Sequence, residues 1–285
     1  MLTDYAQLYP LPRASYSQFS SFLSCPWEFY LTYIAGDRRK NANKYTELGS
    51  ILHDIFEKQG KQLLFENPMS IEQAFDLYNN AFMKVDKKYF DDKEDWIKMY
   101  QKGCTAIEGY FGVYSEDVPL FLEKQFVNKI GDGIPPVKSF IDRIDGEKDN
   151  PESWIITDYK SGSNPKSKAY LREDFQLGMY AAQIYAEYGV YPKAVQFYHP
   201  VPDKFQTAVH KGEGVYEFTN QRDPVVTFSV ADVLIQLAVV TKQIVDCVES
   251  GEWRKVIDKW SCKMCFHYVN GQCKPFEQAT GWDLV

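Results

Sequence analysis

The sequence predicts a mixed α/β or α+β fold, in which helices precede and follow a central sheet. Before Pro119, apolar residues recur at the spacing of amphipathic helices. After Pro119, short segments alternate between apolar and polar residues with the period of two that strands show. The segments come in the order three strands, a helix and further strands, which favours one sheet with helices packed against it.

Helical periodicity dominates the first part of the chain. Segments with one apolar face are predicted to be helices over residues 15–34, 48–56, 71–90 and 96–114. The first is interrupted at Cys25-Pro26, and because proline suits the first turn of a helix, Cys25 should lie at the junction of two helices. Charged and polar residues over 36–44 predict a loop. The segment of about 60–117 is interpreted as a helical insertion.

Extended segments follow, separated by clusters of turn-forming residues. The predicted strands are LFLEKQFVNKI, VKSFIDRIDG, SWIITDYKSG, KAVQFYHPV, GVYEFTN and VVTFSV. The first three should be successive antiparallel strands, and a helix over 175–188 should separate the third from the fourth. A long helix over 230–250 should follow the last strand.

The length and composition predict one elaborated domain that spans the 285 residues. Because 45% of these residues are hydrophobic, the chain can bury a substantial core. The predicted parts are N-terminal helices, the helical insertion, a core, and a C-terminal helix with a cysteine cluster, over about 15–58, 60–117, 118–228 and 229–285.

Charge and hydropathy argue against several classes of protein. The net charge of -7 is unfavourable for a protein that coats nucleic acid through bulk positive charge, but not for an enzyme that contacts a few phosphates. No apolar run is long enough to cross a bilayer, and Met1 to Ala14 lack the features of a secretory signal. We therefore expect a soluble cytoplasmic protein without a membrane partner. No nucleotide-binding loop is recognisable, so no nucleotide cofactor is expected.

Two aspartates and a lysine are the strongest candidates for chemistry. Asp142 lies on one predicted strand, and Asp158 and Lys160 lie on one face of the next. A hairpin would bring the two carboxylates together beside the lysine, an arrangement that binds a hard cation such as Mg²⁺ or Mn²⁺. Such a cation polarises a phosphodiester and activates water, while a lysine offsets negative charge in the transition state. An isolated Asp-x-Lys is more often a solvated strand end, but here the apolar residues Trp154 to Ile156 lead directly into it.

Three other titratable residues have two interpretations each. Asp145 is an auxiliary carboxylate or a turn residue, and the turn is favoured. Glu123 either completes the acidic cluster or, as we expect, is a surface residue of its strand. His53, flanked by Leu52 and Ile55, would by itself be interpreted as a structural histidine.

Three of the six cysteines show the spacing of a metal site. Cys262 and Cys265 lie on one turn, and Cys273 follows after seven residues, so three thiolates can reach a single centre. Zinc and an iron–sulfur cluster both accept such ligands. His267 could complete a Cys3His zinc site, although a surface position is the simpler interpretation. Two cysteines on apolar helical faces, where thiols act as small hydrophobes, are excluded from the cluster: Cys104 and Cys247.

Five short motifs occur in order along the chain. They are Ser-x-Ser from Ser15 to Ser17 ahead of Cys25-Pro26, GSILH from Gly49 to His53, FIDRID, IITDYKSG, and FQLGMY with Gln176 and Tyr180. Together they resemble the RecB-like branch of the PD-(D/E)XK nucleases over about Ser15 to Cys273. One departure is Ser139, where the family often has glycine.

The resemblance implies a restriction-endonuclease-like core, with a central mixed sheet flanked by helices, and assigns roles to the motif residues. The implied metal ligands are His53, Asp142 and Asp158. Lys160 would be the catalytic lysine. Gln176 and Tyr180 lie four residues apart on one helical face and would support the site or contact DNA.

The resemblance also implies a fourth ligand for the cysteine cluster. In the iron–sulfur members, which include AddB-type subunits and the CRISPR-associated exonucleases, one N-terminal cysteine joins a C-terminal trio around a [4Fe-4S] cluster. Cys25 would take that place here, with Cys262, Cys265 and Cys273 as the trio. On this ground iron is expected rather than zinc, and the cluster would hold the two ends of the chain together.

The function that the resemblance implies is a Mg²⁺- or Mn²⁺-dependent deoxyribonuclease. It would be an exonuclease on single-stranded DNA or DNA ends, in recombination, repair or CRISPR-type DNA processing, with a recombination or CRISPR-adaptation complex as partner. Two alternatives stay open: a non-cleaving DNA-binding or adaptor protein of a larger complex, and a zinc-stabilised interaction module.

Overall fold

The computed structural model describes residues 4–37, 42–219 and 222–274. The described chain forms two compact units, one of residues 4–37, 127–139 and 234–274 and the other of residues 42–126, 140–219 and 222–233. Among the described helices, none is long and apolar enough to cross a membrane. The interpretation as one elaborated domain stays a prediction.

The helices are given first in chain order. They are α1 (Tyr5–Leu8), α2 (Tyr16–Ser24), α3 (Pro26–Phe29), α4 (Lys44–Leu64), α5 (Ile71–Phe82), α6 (Lys93–Tyr114), α7 (Lys168–Glu173), α8 (Gln176–Tyr188), α9 (Val230–Ser250), α10 (Lys259–Met264) and α11 (Phe266–Val269). A π-helical turn, Tyr30–Ile34, continues α3, and 3-10 turns lie at Lys87–Tyr89 and Pro151–Ser153.

One mixed sheet contains the strands, in the spatial order of the sequence. They are β1 (Phe121–Asn128), β2 (Val137–Asp145), β3 (Ile155–Tyr159), β4 (Ala194–His199), β5 (Lys204–His210), β6 (Val215–Phe218) and β7 (Thr227–Ser229). Strands β2 and β3 are antiparallel, as predicted, while β3 and β4 are parallel because the connection through α7 and α8 crosses over. The predicted mixed α/β fold is therefore confirmed.

Strand β5 was not predicted, although it pairs with the whole of β4. Its sequence, KFQTAVH, is largely polar and has no continuous apolar face. Strand β4 is buried along its entire length, and β5 continues the sheet from it in antiparallel register. We infer that β5 forms because the backbone groups of the buried strand β4 need hydrogen-bond partners. The local sequence pattern of β5 does not reveal this need.

The helical segment predicted over 71–90 is shorter than expected. Helix α5 ends at Phe82, and a separate 3-10 turn begins at Lys87. Asp86 caps that turn by accepting a hydrogen bond from the Lys88 backbone N–H at 3.0 Å, which starts a new element. Helices α5 and α6 lie within the segment interpreted as a helical insertion, which stays a prediction, and they share one hydrophobic core with α4, Tyr159 of β3 and Tyr198 of β4.

Cys25 lies at the predicted junction of two helices in the first unit. It ends α2, its backbone N–H donates to Ser21 O at 2.8 Å, and it precedes Pro26 at the first position of α3. The helix that follows packs Phe29 against Trp253, with ring centroids 6.0 Å apart. The N-terminal helices are thereby brought to the segment that carries the C-terminal cysteines.

Candidate active site

The two predicted aspartates meet across the β2–β3 hairpin in the second unit. The backbone N–H of Tyr159 donates to Asp142 Oδ2 at 2.6 Å, which ties the carboxylate of one strand to the backbone of the other. Asp158 precedes this residue and is 5% exposed, while Asp142 is 9% exposed. The hairpin predicted from the sequence thus brings both carboxylates to one place.

Lys160 and the helix α8 surround the Asp158 carboxylate. Lys160 Nζ lies 2.6 Å from Asp158 Oδ2 and donates to Gln176 Oε1 at 2.8 Å. The other carboxylate oxygen, Oδ1, accepts from Gln176 Nε2 at 2.6 Å and from the Tyr180 hydroxyl at 3.0 Å. Because Gln176 and Tyr180 are both buried and turned to Asp158, they hold this carboxylate in place.

Burial and neighbouring charges shift the pKa values of Asp158 and Lys160. Burial raises the pKa of Asp158, and the charge of Asp142 raises it further, while the Lys160 ammonium opposes the change. Burial alone would lower the pKa of Lys160, but the carboxylates of Asp158 and Asp142 raise it. Lys160 therefore stays a cation, and it offsets part of the negative charge of the two aspartates.

His53 lies on α4 and reaches the same carboxylates. Its Nδ1 is 3.4 Å from Asp142 Oδ1, and its ring makes an edge contact with Tyr159, with centroids 5.8 Å apart. Burial would lower the pKa of His53, but the hydrogen bond to Asp142 and the charges of Asp142, Asp158 and Glu123 raise it to about 9. The ring points to the carboxylates and not into an apolar core.

Two glycines of α4 allow the helix to pack closely against β1 and against the segment after Lys160. A Cβ atom on Gly60 would lie 2.5 Å from Leu122 Cδ1 of β1, and one on Gly49 would lie 3.4 Å from Ser161 Oγ, just after Lys160. Gly49, His53 and Gly60 share one face of the helix. The spacing of the GSILH motif thus has a physical reason: the glycine one turn before the histidine faces the segment that follows Lys160.

Glu123 belongs to the site, so its expected position on the surface was wrong. It is half-buried, and its carboxylate forms with His53 and Asp142 a group whose ligand atoms all lie within 4.8 Å of one another. Its backbone φ is 45°, a left-handed conformation that costs about 1–3 kcal/mol for a non-glycine residue and is common at functional sites. Burial and the charge of Asp142 raise its pKa to about 7. No motif identifies Glu123, because its place depends on this backbone turn in β1.

Asp145 is not a member of the group. It is the last residue of β2, and both its oxygens accept from Arg143 Nε at 2.8 Å. Arg143 is 1% exposed and needs this carboxylate as its counter-ion. The chain bends only after Asp145, at Gly146, so Asp145 ends a strand and is not a turn residue as expected.

The four cysteines of the predicted cluster line one cavity in the first unit. Cys25 Sγ accepts from the Val256 backbone N–H at 3.5 Å, and Cys262 Sγ donates to Val256 O at 3.7 Å. Burial and the charge of Glu28 raise the pKa of Cys265 to about 11, so that this thiol is protonated without a metal. Cys104 is packed against the helical core of the second unit and is not among the residues that line this cavity.

His267 is buried, so the surface position expected for it was wrong. Its Nε2 lies 2.8 Å from Thr32 Oγ1, and its Nδ1 lies 2.9 Å from Gln272 Oε1. With both ring nitrogens hydrogen-bonded, the histidine joins the segment after α3 to the loop before Cys273. This arrangement argues against a Cys3His zinc site.

Comparison with known proteins agrees with the geometry. The "Gene 69 protein" of Mycobacterium phage D29 is 24% identical over 208 residues, which cover 63% of this chain and 71% of the phage protein. Residues 13–268 match the model of the PD-(D/E)XK nuclease superfamily. The RecB-like and iron–sulfur assignments stay predictions. The chain belongs to the PD-(D/E)XK nuclease superfamily and, as such, is a phosphodiester-hydrolysing nuclease.

Proposed function

We propose that the protein is a Mg²⁺- or Mn²⁺-dependent deoxyribonuclease that uses His53, Glu123, Asp142 and Asp158 to bind its metal. The observation that carries this proposal is the group formed by His53, Glu123 and Asp142, with Asp158 on the adjacent strand paired with Lys160. Three carboxylates and an imidazole are donors that suit a divalent cation. Without the cation, the repulsion among the carboxylates is offset only in part by Lys160 and a protonated His53, which would give up its proton to bind the metal. The four side chains therefore suit Mg²⁺ or Mn²⁺, the kind of ion that the superfamily implies.

The roles of the side chains follow from their contacts. When bound, the cation would supply a Lewis acid that polarises the phosphodiester and activates water for in-line attack. Lys160 would stabilise the negative charge that develops on the phosphate, since it stays protonated next to Asp158. Gln176 and Tyr180 would fix Asp158 through its Oδ1 atom.

Action on single-stranded DNA or on DNA ends is the finer part of this proposal. It rests on the resemblance to RecB-like enzymes, as does a place in recombination, repair or CRISPR-type processing with a protein complex as partner. A non-cleaving adaptor is the alternative. The presence of Asp142, Asp158 and Lys160 in hydrogen-bonded positions favours cleavage over that alternative.

Digestion of end-labelled DNA tests the proposal. Single strands and duplexes labelled at either end are incubated with Mg²⁺, Mn²⁺ or EDTA. We expect metal-dependent release of short products from a labelled end of the single strand. Internal cuts would replace the exonuclease assignment with an endonuclease, and no cleavage with either metal would favour the adaptor.

We also propose that Cys25, Cys262, Cys265 and Cys273 hold a [4Fe-4S] cluster. All four line one cavity, although they come from opposite ends of the chain. Four thiolates suit zinc as well as an iron–sulfur cluster, and the resemblance to the iron–sulfur RecB-like enzymes is what favours the cluster. Thiolate ligation there would lower the pKa of Cys265 from its raised value.

A further inference from the structure

The segment after Lys160 is held by the side chain of Gln206 on β5. Gln206 Oε1 accepts from the Lys166 backbone N–H at 2.8 Å, and Gln206 Nε2 donates to Lys166 O at 2.9 Å. His199 Nε2 lies 3.0 Å from the same Oε1 atom. Because an amide oxygen only accepts, the proton of His199 is on Nε2. These three hydrogen bonds, here called the Gln206 clamp, fix the backbone of Lys166 to the β4–β5 hairpin.

The clamp carries no net charge. His199 is 1% exposed, and burial, with a smaller contribution from the charges of Lys166 and Lys160, lowers its pKa to about 4. His199 is therefore neutral and serves as a hydrogen-bond donor to Gln206. It ends β4, beside the active site, since the Lys160 backbone N–H donates to O of the preceding residue, Tyr198, at 2.8 Å.

The ammonium of Lys166, whose backbone the clamp holds, lies near the same aromatic ring as the ammonium of Lys160. Lys160 Nζ lies 4.9 Å from the centroid of the Phe197 ring, and Lys166 Nζ lies 5.9 Å from the same centroid. Lys166 also lies over the Tyr170 ring, at 3.7 Å. Lys160 is paired with Asp158, whereas no carboxylate of the described chain forms an ion pair with Lys166. Within the described chain, a cation without an ion-pair partner thus lies at the aromatic ring that Lys160 also contacts.

We propose that Lys166 binds a backbone phosphate of the nucleic acid strand, next to the phosphate that is cleaved, and that Gln206 and His199 are its positioning residues. The proposal rests on the proposed function. A strand that enters this site meets the carboxylates of Glu123, Asp142 and Asp158, which repel its phosphates. The Lys166 ammonium would offset this repulsion by attracting a phosphate. Because Lys166 contacts aromatic rings and no carboxylate, its positive charge stays available to the strand.

The salt dependence of DNA binding tests this assignment. Binding of a fluorescent single-stranded oligonucleotide is measured in EDTA, so that no cleavage occurs, for wild type and Lys166→Ala over a range of salt concentrations. Losing one phosphate contact should weaken binding equally for different sequences. It should also make the slope of log K against log salt less negative by about 0.7.

Lys193→Ala is the matched control. Lys193 is an exposed lysine that immediately precedes β4, at the opposite end of the strand from His199, so the variant changes the net charge equally. Its salt slope should equal that of the wild type, and Lys166→Arg should restore the slope. Gln206→Leu should reproduce the slope of Lys166→Ala, and the double variant should show no further change, because the two residues act as one unit.

Each outcome bears on a definite claim. A wild-type slope for Lys166→Ala would overturn the phosphate subsite and leave the proposed nuclease standing. A wild-type slope for Gln206→Leu would overturn the positioning role alone. Wild-type protein that neither binds nor cleaves DNA would overturn both the subsite and the proposed function.

Discussion

At Asp158 the two carboxylate oxygens have different partners. Oδ1 accepts from Gln176 and Tyr180, and Oδ2 faces Lys160. The hydrogen bonds to Oδ1 thus orient the carboxylate, while Oδ2 is paired with the Lys160 ammonium. Residues that orient a metal ligand in this way typically contribute 10- to 100-fold to affinity or activity.

We therefore expect Gln176→Ala to weaken Mn²⁺ binding or cleavage by roughly 10- to 100-fold, and Tyr180→Phe to have a smaller effect in the same direction. Isothermal titration with Mn²⁺ and an initial-rate cleavage assay provide the two readouts. Tyr185→Phe is the matched control, since this tyrosine is on the same helix but 47% exposed. If all three variants behave alike, the orienting role of α8 is wrong.

Lys160→Ala should separate binding from chemistry. The ammonium is expected to act on the transition state, so its removal should lower kcat by about 100- to 1,000-fold while Mn²⁺ still binds. Lys148→Ala, in the exposed turn between β2 and β3, should leave kcat unchanged. Full activity of Lys160→Ala would show that another group supplies the charge.

Helix α4 brings His53 to the site through a close contact with β1. Gly60→Ala would put a methyl group 2.5 Å from Leu122 Cδ1, so Leu122 or the helix must move. We expect a loss of about 1–3 kcal/mol in the free energy of unfolding, together with weaker Mn²⁺ binding, because His53 and Glu123 separate. Denaturant unfolding and metal titration measure the two effects.

Gly112→Ala is the control for this substitution. Gly112 lies in helix α6 with no atom within 4 Å of an added Cβ, so alanine there should stabilise the protein by about 0.5–1 kcal/mol. Leu122→Ala should rescue Gly60→Ala, since it makes room for the methyl group. A Gly60→Ala variant as stable as the wild type, with unchanged metal affinity, would refute the role of this contact.

The sequence predicted the parts of the site that depend on local rules. Asp142, Asp158 and Lys160 follow from strand period and motif order. Membership of Glu123 in the acidic group was only the less favoured of two interpretations, because its position depends on its own left-handed backbone conformation within β1 and on the packing of α4. Strand β5 was missed because it depends on pairing with the buried strand β4. The burial of His267 was missed because one of its partners, Thr32, is distant in the sequence.

At the scale of the whole molecule, the proposed cluster closes a loop between Cys25 and the C-terminal cysteines. Losing one cysteine ligand should therefore lower the thermal stability, because the cluster would no longer restrict the conformations of the long loop between Cys25 and the C-terminal cysteines. We expect Cys265→Ser, purified without oxygen, to lose the brown absorption and bound iron. Cys247→Ser should keep both, because this thiol does not line the cavity. Reconstitution that yields bound zinc without iron would contradict the cluster.

The binding of Mn²⁺ to the Asp142 site tests the central claim most directly. Titration followed by electron paramagnetic resonance is compared for the wild type, Asp142→Asn and Asp149→Asn, which lies in an exposed turn, and the same samples are assayed for DNA cleavage. We expect Asp142→Asn to lose at least about tenfold in Mn²⁺ affinity and to lose cleavage with it, while Asp149→Asn matches the wild type. Wild-type affinity and cleavage in Asp142→Asn would show that the metal-dependent chemistry is located elsewhere.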